Sequence, residues 1–147
     1  MIISFKNDKP FIEGICLNEI TASVETPFYL YSQKSITDAY KKLKDSLNTT
    51  IFFSIKSNSN QAIISLMKSL GAGADVVSAG ELERALRAGV SPNKIIFEGV
   101  GKSLNDIEYA VHSNIRQINI ESMEELNMIN AIGQRLNKKI IIGIRLN

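Results

Sequence analysis

From residue 50 onward the chain alternates short β-rich apolar runs with longer segments whose apolar residues recur three and four positions apart. The pattern predicts strands over 50–56, 74–77, 94–98, 117–121 and 139–146. Helices are predicted over Gln61 to Leu70, Gly80 to Ala88, Leu104 to His112 and Met123 to Leu136. No hairpin signal separates successive strands, so each pair is joined by a helical crossover and the pairing is parallel. Gly71, Gly73, Gly89 with Pro92, and Asn114 supply the stops that end helices. Ser78-Ala79-Gly80-Glu81 and Ser122-Met123-Glu124-Glu125 both fit the capping box, in which serine and glutamate side chains satisfy the free amides of a first helical turn.

Residues 1–49 read differently. Short alternating pieces run to Glu25, followed by a predicted strand at Thr26-Pro27-Phe28-Tyr29-Leu30-Tyr31 and a helix from Ser32 to Leu47. Pro27 lacks an amide donor, which restricts that strand to a sheet edge or makes Pro27 its first residue. The fold class is α/β. A parallel repeat of five strands suits either an open doubly wound sheet or part of a closed (β/α)8 barrel. A whole barrel takes about 250 residues, so 147 residues hold only part of one, about its first five strands. The last apolar run, Lys139 to Asn147, has no following helix to cover it and is expected to be a bare edge.

Composition narrows the class. Hydrophobic residues make up 44% and charged residues 22%, a globular balance. The 17 basic and 15 acidic residues are interspersed, with no basic run longer than Lys41-Lys42 or Lys138-Lys139, so nothing points to nucleic acid or an anionic membrane. Cys16 is the only cysteine, which excludes an internal disulfide and a cysteine-rich metal site. It is expected to be a small buried hydrophobe in a reducing compartment. The N-terminus lacks a basic stretch followed by an apolar one, and no apolar run approaches the roughly 20 residues of a membrane span. The cytoplasm is the expected location.

The candidate chemistry begins at Lys56, which closes the run Ile51-Phe52-Phe53-Ser54-Ile55 and precedes the polar stretch Ser57-Asn58-Ser59-Asn60. An amine at the C-terminal end of a strand is where a βα enzyme keeps its reacting groups. A lysine there holds a carbonyl cofactor as a Schiff base if its pocket frees the lone pair. On pattern alone a solvated lysine is the plainer reading.

Three motifs change that balance: Phe53-Ser54-Ile55-Lys56-Ser57-Asn58-Ser59-Asn60, Gly71-Ala72-Gly73-Ala74-Asp75-Val76-Val77-Ser78-Ala79-Gly80-Glu81-Leu82, and Gly99-Val100-Gly101-Lys102-Ser103. In order and spacing they resemble the first half of the diaminopimelate decarboxylases, pyridoxal-phosphate enzymes with an alanine-racemase-like barrel. The likeness runs from about Ile12 to Asn147. It implies that Lys56 forms the Schiff base with pyridoxal 5'-phosphate, whose ring takes up the electrons left when carbon dioxide departs. It also implies that Asp75 and Glu81 lie near the cofactor, and that Arg145 stands by the ring and favours its ionised phenolic oxygen. Asn58 matches the asparagine of the lysine-centred motif. Each has a plainer alternative: Glu81 caps a helix with Ser78, Arg145 is a surface cation, and Asn58 is turn chemistry.

The Gly99–Ser103 segment is not a phosphate loop, because Ile96 holds the place of the required earlier glycine. It reads as a βα turn. His112 sits late in a helix whose last carbonyls it favours, and it lacks partners for a triad or a metal site.

The implied reaction is decarboxylation of meso-diaminopimelate to L-lysine and carbon dioxide. Alternatives are a decarboxylase of ornithine, arginine or a carboxylated polyamine, or a non-catalytic barrel fragment that needs a complementary half. The resemblance further implies a homodimer, residues 1–25 opening a β-rich second domain, and residues 26–147 starting the cofactor-binding barrel. The family's ring-stacking histidine, glycine-rich phosphate cradle, acid facing the pyridine nitrogen, and second-domain cysteine and tyrosine find no match in the sequence. The chain is therefore expected to be an N-terminal piece and a poor enzyme by itself.

Overall fold

A computed structural model describes residues 3–146, and packing divides the chain into two compact units that meet between Asn48 and Thr49. In the first, strands β1 (Ser4–Lys6), β2 (Lys9–Ile12) and β3 (Ile15–Cys16) form an antiparallel meander. Its two-residue turns, Asn7-Asp8 and Glu13-Gly14, have positive φ at both positions (48° and 59°, 51° and 84°), the left-handed geometry that matches the twist of a hairpin. Cys16 is buried, as expected.

Helix α1 (Leu17–Ser23) escaped the sequence reading because it is only seven residues long and none is fully buried, Leu17 and Ile20 being half-buried. Helix α2 (Gln33–Ser46) starts where predicted. Ser32 accepts the Ser35 amide at 3.0 Å, and the Glu13 carboxylate accepts both the Lys34 amide at 3.0 Å and the Ser32 hydroxyl. An anion thus sits against the positive end of the helix.

The strand expected at Thr26 to Tyr31 is not formed. β-prone residues make a strand only when a neighbouring edge exchanges hydrogen bonds with them, and Pro27 has already lost one donor. Tyr29 and Tyr31 instead stack on each other, ring centroids 6.4 Å apart.

The second unit realises the predicted repeat. Strands β4 (Phe52–Ser54), β5 (Gly73–Val76), β6 (Ile95–Phe97), β7 (Gln117–Ile120) and β8 (Ile142–Ile144) pair in parallel and in chain order. Helices α3 (Gln61–Ser69), α4 (Ala79–Arg87), α5 (Leu104–His112) and α6 (Met123–Leu136) connect them. β8 is shorter than expected because Lys139 to Ile141 stay irregular, although Ile141 still accepts the Ile118 amide at 3.0 Å.

The core decides between the two architectures left open by periodicity. Ala74, Val76, Ile95, Phe97, Ile118 and Ile120 of the sheet pack against Ile64, Leu82, Ala85, Ile107, Ala110, Ile129 and Ile132, which come from all four helices. A doubly wound sheet reverses its strand order and takes helices on both faces. Here the order never reverses and α3–α6 share one face, so the sheet is an open arc of barrel wall. Phe97 is fully buried in that layer, and its truncation to alanine is expected to cost about 3–5 kcal/mol.

Candidate active site

The other face of the sheet carries the residues that alternate with this core. Lateral register puts Ser54 beside Asp75, Asp75 beside Ile96, Ile96 beside Gln117, and Asn119 beside Gly143. Parallel neighbours in register point the same way, so Ser54, Asp75, Gln117 and Asn119 line one concave, mostly polar surface. Lys56 follows β4 in a short 3-10 turn, Ile55–Ser57, rather than closing the strand itself, and it is exposed. Glu81 lies in the first turn of α4, and Arg145 follows β8. The predicted site residues therefore share the C-terminal rim of the sheet, the functional edge of βα folds.

Their hydrogen bonds are specific. The serine half of the predicted capping box forms, the Glu81 amide donating to Ser78 Oγ at 3.2 Å, but Glu81 Oε2 accepts the Val77 amide at 2.9 Å, one residue before the cap. The Glu125 amide likewise donates to Ser122 Oγ, while Glu125 Oε2 accepts the Glu121 amide. Asn58 Oδ1 accepts the Asn60 amide at 3.0 Å, which is turn chemistry leading into α3, whose cap is Asn60 itself. Arg145 Nη1 donates to Glu121 Oε1 at 3.3 Å. Asp75 Oδ1 and Ser54 Oγ are both buried without a hydrogen-bond partner among the described residues.

Sequence reading missed the polar groups between these residues. Gln117 Nε2 donates to Asn119 Oδ1 at 2.5 Å, and Asn119 Nδ2 donates to Glu98 Oε1 at 2.8 Å. Gly143 makes the space: a Cβ there would collide with Asn119 Oδ1 and Gln117 Nε2. The signal was present in Gln117-Ile118-Asn119-Ile120-Glu121. A strand buried by helices on both faces is apolar throughout, whereas this one is polar at every second position and so must face something wet or reactive.

The rim loops are cross-braced. Lys102, in the turn between β6 and α5, is buried; its Nζ donates to Gly99 O at 2.6 Å and to Glu125 Oε2 at 3.1 Å, in an ion pair whose side chains are 1% and 7% exposed. The segment once open to a phosphate-loop reading is thus a βα turn clamped by its own lysine. Ser103 and Asp106 form a full capping box at the start of α5. Asp106 Oδ1 also accepts the Ala79 amide at 3.0 Å, from the first turn of α4. The Ser103 hydroxyl, followed by the amides of Ala79 and Ser103, holds the Asp106 carboxyl below its ordinary pKa against the opposing effect of burial. Among the described residues no group of three or more His, Cys, Asp or Glu is placed to hold a metal ion, and no helix is long and apolar enough to cross a membrane.

The model of the pyridoxal-dependent decarboxylases, for their pyridoxal-binding domain, matches residues 33–147. The chain belongs to this family. A diaminopimelate decarboxylase of Zymomonas mobilis is 39% identical over 150 residues, covering 98% of this chain and 36% of the relative. The crystal structure of AQ1208 from Aquifex aeolicus superposes with a TM-score of 0.95 at 38% identity, covering 99% of this chain and 37% of that one. The diaminopimelate decarboxylase of Helicobacter pylori, solved in complex with L-lysine, superposes at 0.86 with 43% identity over 89% of this chain and 34% of its own. The chain thus spans about a third of the length of the decarboxylases it matches. The motifs around Lys56, Asp75 and Gly99 identified this family from sequence, and the arc of parallel strands is its barrel, not closed within this chain.

Proposed function

We propose that the chain carries the reactive-lysine side of a pyridoxal-phosphate site and takes part in decarboxylation of meso-diaminopimelate to L-lysine and carbon dioxide. The observation that carries this reading is the concave rim itself. A lysine follows the first strand of the arc, and two buried oxygens, Ser54 Oγ on that strand and Asp75 Oδ1 on the next, lack partners among the described residues. Buried polar atoms without partners are rare unless a ligand or water completes them, so these residues fit a polar group bound against the sheet. Relatives named diaminopimelate decarboxylase favour that substrate over ornithine, arginine or a carboxylated polyamine.

When bound, pyridoxal phosphate supplies an electron sink for the bond to carbon dioxide. Lys56 would hold the carbonyl carbon and later return a proton to the substrate carbon. Asp75 would offer its buried, unpartnered Oδ1 to a polar group bound against the sheet. Arg145, oriented by Glu121, would place a cation beside the phenolic oxygen. Asn58 and Glu81 would act by shaping the two rim turns through the backbone amides they accept.

We assign residues 1–25 to a β-rich second domain, supported by the antiparallel meander, and 26–147 to the pyridoxal-binding barrel, supported by the family match from residue 33, although the boundary between compact units falls later, between Asn48 and Thr49. A cytoplasmic homodimer is the assembly we expect; a reducing compartment suits Cys16, a buried free thiol. Sedimentation of the protein with and without pyridoxal phosphate tests the dimer.

The decisive experiment is borohydride reduction in the presence of pyridoxal phosphate, followed by peptide mapping. Label concentrated on Lys56 and lost in Lys56→Ala is the expected result. Label scattered over the surface lysines overturns the site.

A further inference from the structure

Glu121 is the residue after β7, and two contacts fix it, one at its amide and one at its carboxylate. Its amide donates to Glu125 Oε2 at 3.0 Å, and that same oxygen receives Lys102 Nζ at 3.1 Å. Its own carboxylate, 12% exposed, receives Arg145 Nη1 at 3.3 Å. The next strand is held in step by the Arg145 amide, which donates to Ile120 O at 3.1 Å. A buried ion pair is thereby linked through one backbone amide and one carboxylate to the cation at the rim. Arg145 itself is 53% exposed and would sweep a wide volume on its flexible stem without this contact.

We propose that Glu121 is a positioning residue for Arg145, with the Lys102–Glu125 pair fixing the height at which it presents its carboxylate. The proposal rests on the pyridoxal-phosphate reading of the site and deepens it. An exposed ion pair contributes little by itself, because water screens it and two side chains must be immobilised. Glu121 differs in being nearly buried and anchored at its backbone, so it has little side-chain freedom left to lose and Arg145 alone must be ordered. Its effect should therefore appear in cofactor affinity and only weakly in folding.

The test is a double-mutant cycle on Glu121→Gln and Arg145→Gln, read as the affinity for pyridoxal phosphate from the imine absorption, with circular dichroism confirming the fold. Glu121→Gln is expected to weaken binding about 5-fold in the parent and less than about 2-fold in the Arg145→Gln background, the mark of residues that act together. Glu121→Asp, which keeps the charge, should recover most of the loss. An equal loss in both backgrounds, or none in either, overturns the proposal. Borohydride labelling separates the two readings: a parent without label on Lys56 overturns both, whereas a labelled parent with no coupling overturns this one alone.

Discussion

Ser54 and Asp75 face each other across β4 and β5, and each holds a buried oxygen with no hydrogen-bond partner among the described residues. Burying an unpaired hydroxyl costs the protein the water it gave up, so its removal should not weaken the fold. Ser54→Ala is expected to leave unfolding stability unchanged or raised by up to about 1 kcal/mol. Urea titration in the absence of cofactor checks this; a clear loss would reveal that Ser54 has a partner.

Lys102 and Glu125 pose the opposite case. Lys102→Met removes the cation paired with the nearly buried Glu125 carboxylate and should destabilise by about 3–5 kcal/mol. Adding Glu125→Gln removes the stranded charge while keeping an oxygen for the Glu121 amide, so the double variant should recover much of that loss. Denaturant midpoints of the parent, single and double variants decide it. A double variant no better than Lys102→Met would mean that packing, not charge, accounts for the loss.

Asp106 should leave a signature in acid. Its carboxyl is held below the ordinary value of 3.8 by the Ser103 hydroxyl and by the amides of Ala79 and Ser103. A depressed folded-state pKa means that the unfolded chain binds the proton more readily, so the stabilisation is complete above that ordinary value and disappears as pH falls through the lower folded one. The stability difference between parent and Asp106→Asn is therefore expected to be constant from pH 5 upward (about one unit above the ordinary carboxylate pKa) and to shrink below it. Thermal melts across the acid range measure the difference.

Gly73 leaves room for the ring of Phe52. A Cβ there would sit 2.6 Å from the backbone oxygen of Lys94 and 2.6 Å from Phe52 Cδ1, and the first of these cannot swing aside. Gly73→Ala should cost about 1–3 kcal/mol by overpacking. Pairing it with Phe52→Leu relieves only the ring clash, so partial recovery in a melting experiment is expected.

The repeat of the second unit was legible because helices and strands there bury one stripe each, and burial prints itself as periodicity. Its four helices and five strands appear where the apolar spacing put them, with strand ends trimmed where the loops begin. Thr26 to Tyr31 misled because β-propensity reports a side chain's fit to a sheet without saying whether an edge is available. α1 was invisible because its half-buried face, Leu17 and Ile20, is too short to print a period. In the site, Lys56, Asp75, Glu81 and Arg145 could be named through a family likeness because each belongs to a contiguous motif or a strand end. Glu98, Gln117, Asn119 and Glu121 are joined only across strands, and such partnerships exist once the register is set. Lys102 looked like a loop cation, and its burial depends on Glu125, 23 positions away.

The carboxylate of Asp106 belongs to two neighbours at once, closing the cap of its own helix and holding the first amide of the turn before it. For anyone recombining barrel segments from related enzymes, a crossover between α4 and α5 would sever a bond that neither parent half contains alone. The natural exchangeable block at this rim is therefore the pair of successive βα turns inherited together.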